Sequence, residues 1–328
     1  MARVFSGIQP SGDLHLGNLL GALTNWVRHQ HDHDSVYCVV DLHALTLPKD
    51  PAALRAATLG LTHLLIAIGI DPDRSILFVQ SHVAEHPQLA WLLECTVSYG
   101  ELSRMTAFKD KSDRSDFISA GLFTYPALQA ADILLYDTNL VPVGDDQRQH
   151  IEITRDIADR FNSRYGQTFV VPEHVIPPIG ARVMDLMRPQ HKMSKSHELA
   201  GTIGVLDDLA TVEKRFKRAV TDSDNEVRYD RETKPGVSNL LDILSATTGE
   251  DPTTLADRYQ QYGPLKADTA DAVIALLEPI QARYRELAND PGETERLLKL
   301  GSDKAGAIAA VTLDRAQTNI GLLMQPRP

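Results

Sequence analysis

Cysteine is almost absent from this 328-residue chain, which holds only Cys38 and Cys95, far apart. That scarcity excludes a disulfide framework, a Cys-x-x-Cys redox pair and a thiolate zinc knuckle, and it fits a reducing compartment with two incidental thiols. An excess of basic charge is also missing. The 33 Lys and Arg stand against 44 Asp and Glu, for a formal net charge of −11, so any contact with phosphate must be local. Long apolar runs are lacking too. The stretch near the start is broken by Asp13, His15 and Asn18, without the n-region/h-region order of a secretion signal. No run reaches the ~18 uninterrupted apolar residues that a membrane span needs. A cytoplasmic chain without membrane association is the expectation. No Ser-His-Asp or Cys-His arrangement points to a protein nucleophile.

What is present is ordinary in bulk and specific in detail. Hydrophobic residues make up 43% and charged residues 23%, as in a soluble globular protein, and the length suits about two domains at ~150 residues each. The first half alternates apolar β-branched runs at 4–8, 36–40, 76–79 and 140–143 with helical patterns at 18–29, 52–68, 87–97 and 126–136. Pro51 opens the second of these helices and Gly69 closes it. Such alternation predicts an α/β fold, a Rossmann-like parallel sheet with right-handed crossovers and helices on both faces. Ligands then belong at the carboxyl ends of the strands, at 6–7, 41–43, 80–82 and 144–147, where the strand order reverses. From about 204 onward strands disappear, and 207–220, 238–247, 252–261, 266–287 and 293–316 read as helices. This predicts an all-α C-terminal domain over 201–328, whose first helix carries Lys214, Arg215, Lys217 and Arg218.

Two segments carry phosphate chemistry. In Ser6-Gly7-Ile8-Gln9-Pro10-Ser11-Gly12-Asp13-Leu14-His15-Leu16-Gly17-Asn18 a strand runs through a turn into a helix start. Unpaired N–H groups and partial positive charge there suit a phosphate. Gly7 and Gly17 allow a flat ring close to the backbone, and His15 adds a side-chain donor. In Lys192-Met193-Ser194-Lys195-Ser196 two lysines three apart stand in a Ser-flanked loop, able to hold a polyphosphate as charge develops on it. By composition this is an exposed loop; the string itself is far rarer than its composition. A third feature is Asp132 amid Ala, Ile and Leu, an acid that is costly to bury unless paired.

His-Leu-Gly-Asn at 15–18 and Lys-Met-Ser-Lys-Ser at 192–196, in that order around an α/β half, resemble the two nucleotide motifs of class I aminoacyl-tRNA synthetases. Phe5–Gly12, 120–122, 130–134 and the Val141-Pro142-Val143-Gly144-Asp145-Asp146-Gln147 string resemble the bacterial tryptophanyl branch of that family, and the likeness extends over essentially the whole chain. The resemblance implies a tryptophan–tRNA ligase that joins L-tryptophan to ATP as an adenylate and then charges tRNA(Trp) on a terminal 2′ hydroxyl. It implies His15, Asn18, Lys192 and Lys195 as catalytic groups. ATP would lie on Gln9, Pro10, Ser11, Gly17, Asn18, Gly144, Asp145, Asp146, Val183 and the loop residues Lys192, Met193, Ser194, Lys195 and Ser196, with Lys111 as a further phosphate contact. Asp132 would accept the indole N–H, within a pocket of Phe5, His43, Tyr125, Gln129, Val141, Val143 and Gln147. Mg²⁺ would travel with ATP rather than occupy a protein cage. The family also implies a homodimer, with residues 1–190 catalytic, 191–200 a connecting loop, and 201–328 reaching the anticodon, the last helix packing back on the catalytic part. One departure stands out: Gln129 occupies a place where the family has an apolar wall, which brings the pocket closer to the sister tyrosyl enzymes. Phosphate motifs of this kind also suit a small nucleotidyltransferase, and a tryptophan pocket also suits a non-catalytic paralogue that binds tryptophan or RNA.

Overall fold

The computed structural model describes residues 1–12, 14–106, 108, 118–144, 147–175, 182–194 and 199–323. Its centre is a five-stranded sheet built from β1 (Arg3–Ile8), β2 (Asp34–Val39), β3 (Ile76–Val79), β4 (Leu140–Pro142) and β5 (Glu173–Val175). The order is β3-β2-β1-β4-β5, and every pairing is parallel. The chain therefore works outward from β1 to β3, then crosses back to lay β4 on the other side of β1. That reversal opens a crevice between the carboxyl ends of β1 and β4.

Alternation along the strands feeds two separate cores. Tyr37, Val39, Leu77 and Val79 join one buried cluster, while Val36, Cys38, Ile76 and Phe78 join the other, as a two-residue side-chain period requires of a sheet covered on both faces. The first cluster continues into the C-terminal half through Leu240, Leu241, Val273 and Leu277. The second takes in the helices Ala120–Leu134 and Arg148–Tyr165 and, through Ala305 and Ala309, the terminal helix Pro291–Ile320. The helix Pro51–Ile68 is long and apolar enough to cross a membrane by length and composition alone. Here Leu61, Leu64 and Leu65 on one of its faces belong to the first core.

Most expected elements are present, with shifted ends. Pro51–Ile68 begins on an Asp50 cap, whose carboxylate accepts the Ala53 N–H at 2.8 Å, and stops at Gly69 with φ 118°. The first helix is one continuous rod made of Leu16–Asn18, a π-helical stretch Leu19–Leu23, and Thr24–Asp32. Ala120–Leu134 starts earlier than its pattern predicts because Ser119 caps it, leaving Pro126 inside the helix instead of at its start. Pro252–Ala256 is shorter than expected. Strand β5 and the helix Arg148–Tyr165 have no counterpart in the sequence reading. The helix is strongly amphipathic, burying Ile151, Ile157, Ala158 and Phe161, whereas β5 is a short edge strand with exposed residues and no apolar signal.

The terminal helix reaches back across the sheet. Lys304 donates to the Pro72 carbonyl at 2.8 Å, Arg315 bonds Asp137 at 2.5 Å, and Asn319 donates to Thr168 at 2.8 Å. Its backbone approaches β3 closely enough that a β-carbon on Gly301 would overlap the Leu77 carbonyl. Gly301→Val is expected to destabilise the fold by about 1–3 kcal/mol through this overpacking, read as a lowered urea midpoint; an unchanged midpoint would show that the helix lifts away at no cost.

Candidate active site

At the crevice between β1 and β4 two cavities adjoin, with Trp26, Pro142 and Val143 lining both. One, of about 410 Å³, is walled by Phe5, Ser6 and Gly7 from β1, Val141 from β4, and Tyr125, Gln129 and Asp132 from the helix Ala120–Leu134. Side chains at 125, 129 and 132 share a face because they are four and three residues apart on one helix. The other, of about 650 Å³, is lined by His15, Gly17, Asn18, Val183, Lys192 and Met193, among others. An apolar slot with a few polar groups thus opens beside a wider chamber edged with cations.

Asp132 is 1% exposed, and both of its carboxylate oxygens are hydrogen-bonded. Its Oδ1 accepts from Gln80 Nε2 at 2.6 Å and lies 2.6 Å from His86 Nδ1; its Oδ2 lies 2.8 Å from His43 Nε2. Burial alone would raise the carboxyl. The charge and hydrogen bonding of His43, with those of His86, outweigh it and hold the group below its ordinary value. The group in the slot is thus a carboxylate, which accepts and does not donate. Burial pushes the neighbouring Tyr125 up to about 12, and its hydroxyl lies 2.6 Å from His150 Nε2. The Cys38 thiol is pushed well up by burial and by the nearby Asp132 and Asp41, consistent with an inert core residue.

Backbone pairing draws the two distant motifs together. The Leu16 N–H donates to the Ile203 carbonyl at 2.8 Å, and the Val205 N–H to the Leu14 carbonyl at 2.9 Å, so the segment after the lysine loop runs antiparallel beside His15. The segment before it is pinned as well. Met193 donates to Val183 at 3.1 Å and Asp185 to His191 at 2.9 Å, which sets Lys192 opposite Met184. Asn239, from the helix Pro235–Thr248, clamps Met184 by both backbone groups, at 2.8 and 3.0 Å. Arg215 holds the Thr202 carbonyl at 2.7 Å and also pairs with Asp207. At the helix start, Asn18 Oδ1 accepts the His15 N–H at 3.1 Å, leaving its amide donors without a partner among the described residues.

Of the residues singled out from sequence, Phe5, His43, Tyr125, Gln129, Asp132, Val141, Val143 and Gln147 line the slot. His15, Gly17, Asn18, Gly144, Val183, Lys192 and Met193 line the chamber. Gln9 falls in the slot rather than the chamber, and Pro10 and Ser11 are among the lining of neither. The Ser194 carbonyl accepts from Thr202 at 2.9 Å. Lys111, Asp145, Asp146, Lys195 and Ser196 lie outside the described residues. Sequence reading missed Arg182, Asn25 and His29 in the chamber and Trp26 between the cavities; it set Ser6 at a ligand-facing strand end without a role, and that buried hydroxyl has no hydrogen bond among the described residues. It named 80–82 as a strand end but gave Gln80 no role, and it missed His86 and Tyr136 behind Asp132. Tyr136, one turn beyond Asp132, was the available signal for the last group.

A family model described as tRNA synthetases class I (W and Y) matches residues 1–282. The chain is 51% identical to the tryptophan–tRNA ligase of Caldanaerobacter subterraneus subsp. tengcongensis, over 99% of its own length and 100% of that protein. It is 53% identical to the tryptophan–tRNA ligase of Mycobacterium leprae, over 99% of its own length and 97% of that protein. The fold is similar to that of a tryptophanyl-tRNA synthetase from Campylobacter jejuni, solved as a complex with ADP and tryptophan. That match has a TM-score of 0.86 at 35% identity and covers 98% of this chain and 100% of the other. With a family model matched over most of its length and relatives at about half identity end to end, this chain belongs to the class I tRNA synthetases of the tryptophan and tyrosine branch.

Proposed function

We infer that the chain is a tryptophan–tRNA ligase whose slot holds the amino acid and whose chamber holds ATP. The observation that carries this reading is the adjacency of the two cavities across Trp26, Pro142 and Val143, with a buried carboxylate at one end and His15 with Lys192 at the other. In the slot Asp132 accepts the indole N–H, a hydrogen bond to a charged group contributing roughly 1.5–3 kcal/mol. Phe5, Val141 and Val143 cover the ring, and Tyr125 and Gln147 face the ammonium end. In the chamber Gly17 and Val183 flank the adenine and Gly144 serves the ribose, a role the family resemblance extends to Asp145 and Asp146.

The tryptophan carboxylate attacks the α-phosphorus in line, the bond to the leaving pyrophosphate breaks, and no protein nucleophile takes part. The chain supplies proximity and charge. His15 and Asn18 meet the phosphates at the helix start, while Lys192 and Lys195, with Lys111, neutralise the departing pyrophosphate. Mg²⁺ is taken as part of the nucleotide substrate. In the second step the tRNA terminal 2′ hydroxyl attacks the acyl carbon and AMP leaves. Residues 1–190 form the catalytic part and 191–200 its connection to the helical half. The helices of 201–328 contact the anticodon arm, whose unpaired bases are read by stacking and edge contacts. Lys214 and Arg218 face that backbone; Arg215 and Lys217 are engaged with Asp207 and Glu213. The enzyme works in the cytoplasm as a homodimer, a state in keeping with the exposed Leu45, Trp91 and Tyr99.

Gln129 keeps tyrosine as the competitor to exclude: it is half-buried in the slot and its amide has no partner among the described residues. Pyrophosphate exchange into ATP is expected with tryptophan and at background with tyrosine or no amino acid; exchange driven by tyrosine overturns the assignment. Lys192→Ala is expected to slow single-turnover adenylation by about 10²–10³-fold at unchanged tryptophan affinity, and normal adenylation would remove Lys192 from the reaction. Asp132→Ala is expected to lower kcat/KM for tryptophan by about 10- to 100-fold, mainly through KM, and wild-type affinity in that variant refutes the indole contact.

A further inference from the structure

Asp132 is held by groups that never reach the slot. Gln80 and His86 are fully buried and line neither cavity, yet both address Oδ1, at 2.6 Å each. A carboxylate has about four lone-pair positions, two on each oxygen. Oδ1 is therefore saturated, and His43 takes one position on Oδ2. One acceptor position remains, on the oxygen nearer His43, which itself lines the slot.

Each rear donor is in turn oriented by a further group. Gln80 Oε1 accepts the Leu42 N–H at 3.1 Å, which turns the amide so that its nitrogen faces Asp132. His86 Nε2 lies 2.8 Å from the Tyr136 hydroxyl. The carboxylate can only accept, so the His86 Nδ1 proton faces Asp132, and the Tyr136 hydroxyl on Nε2 holds the ring in that orientation. Tyr136 also stacks on Phe5, with ring centroids 5.7 Å apart and planes within 10°, and Phe5 is a wall of the slot.

We propose that Gln80 and His86, oriented by Leu42 and Tyr136, are positioning residues for amino-acid selection, locking the Asp132 carboxylate so that one lone pair is presented to a single ring N–H. This rests on the reading that Asp132 meets the indole. Loosening the rear donors frees the carboxylate to rotate, and the penalty against a ring lacking the N–H falls even though Asp132 is still present.

The test is pyrophosphate exchange on the full-length enzyme with tryptophan and with benzothienylalanine, in which sulfur replaces the ring N–H. Wild type, Gln80→Met, His86→Phe and Tyr136→Phe are compared, with thermal unfolding confirming that each is folded. Tyr136→Phe removes one oxygen only and keeps the test alive should the other two fail to fold. Wild type is expected to favour tryptophan in kcat/KM by about tenfold or more. In the variants that preference is expected to shrink by about threefold or more, with the loss residing in KM for tryptophan. An undiminished preference in folded variants, or an equal loss for both amino acids, overturns the positioning role while leaving the Asp132 contact intact. No preference in wild type overturns the Asp132 contact itself, and the positioning role with it.

Discussion

Removing a carboxylate from water costs several kcal/mol unless donors replace the lost hydration, and the sheet-bearing half of this molecule is arranged around one such replacement. Asp132 sits in the interior with Gln80, His86 and His43 as its donors. These come from three elements: the end of β3, the helix Glu85–Glu94 and the short helix Asp41–Ala44. Meeting the needs of one buried charge therefore fixes how the ends of β2 and β3 sit against the helix Ala120–Leu134. The same arrangement leaves part of that charge facing a cavity. Stability and recognition draw on a single carboxylate, and a change to either alters both.

The chamber beside the slot is organised differently. There the chain relies on backbone pairing instead of a buried charge. The helix start at His15 and the hairpin carrying Lys192 are joined through short antiparallel contacts with segments on either side of the lysine loop. Backbone bonds of this kind set position without occupying side chains, so His15 and Lys192 remain in the cavity lining. Asn239 and Arg215 reach over from the helical half to brace those segments. The position of the segments flanking Lys192 thereby depends on how that half is packed. The π-helical stretch Leu19–Leu23 lies within the helix that lines both cavities, with Trp26 just beyond it as the shared wall; such stretches recur at functional sites.

Between the slot and the chamber the dividing residues are Trp26, Pro142 and Val143, none of them ionisable. A mostly apolar divider offers water few hydrogen-bonding side-chain groups between the two cavities, and a drier boundary strengthens the fixed charges around it. The cations Arg182 and Lys192 stand in the chamber lining with His15, and none of the three lines the slot. On a chain of net charge −11, this local concentration is where an anion would meet favourable charge.

Local chemistry was enough to read much of this. Apolar β-branched runs mark β1 to β4, since parallel strands covered on both faces must be apolar throughout. Pro51 and Gly69 bracket their helix because a fixed φ and a left-handed φ belong at its two ends. The phosphate motifs and Asp132 are visible as strings because each role demands particular residue types at fixed spacing. The edge strand Glu173–Val175 was not legible, for it has no buried face to impose a pattern. Neither was the setting of Asp132: Gln80, His86 and Tyr136 are ordinary residues in sequence, and only the packing of three separate elements turns them into its donors. The neighbouring placement of 15–18 and 192–194 was expected from the family resemblance alone; the structure builds it by tertiary pairing through residues 183–185 and 203–205. Residue type and spacing determined which groups could act on a phosphate or an indole. Which of them share one crevice, and which lone pair of a carboxylate stays open, was decided by contacts between segments remote in the chain, because hydrogen-bond directions exist only once those segments are packed.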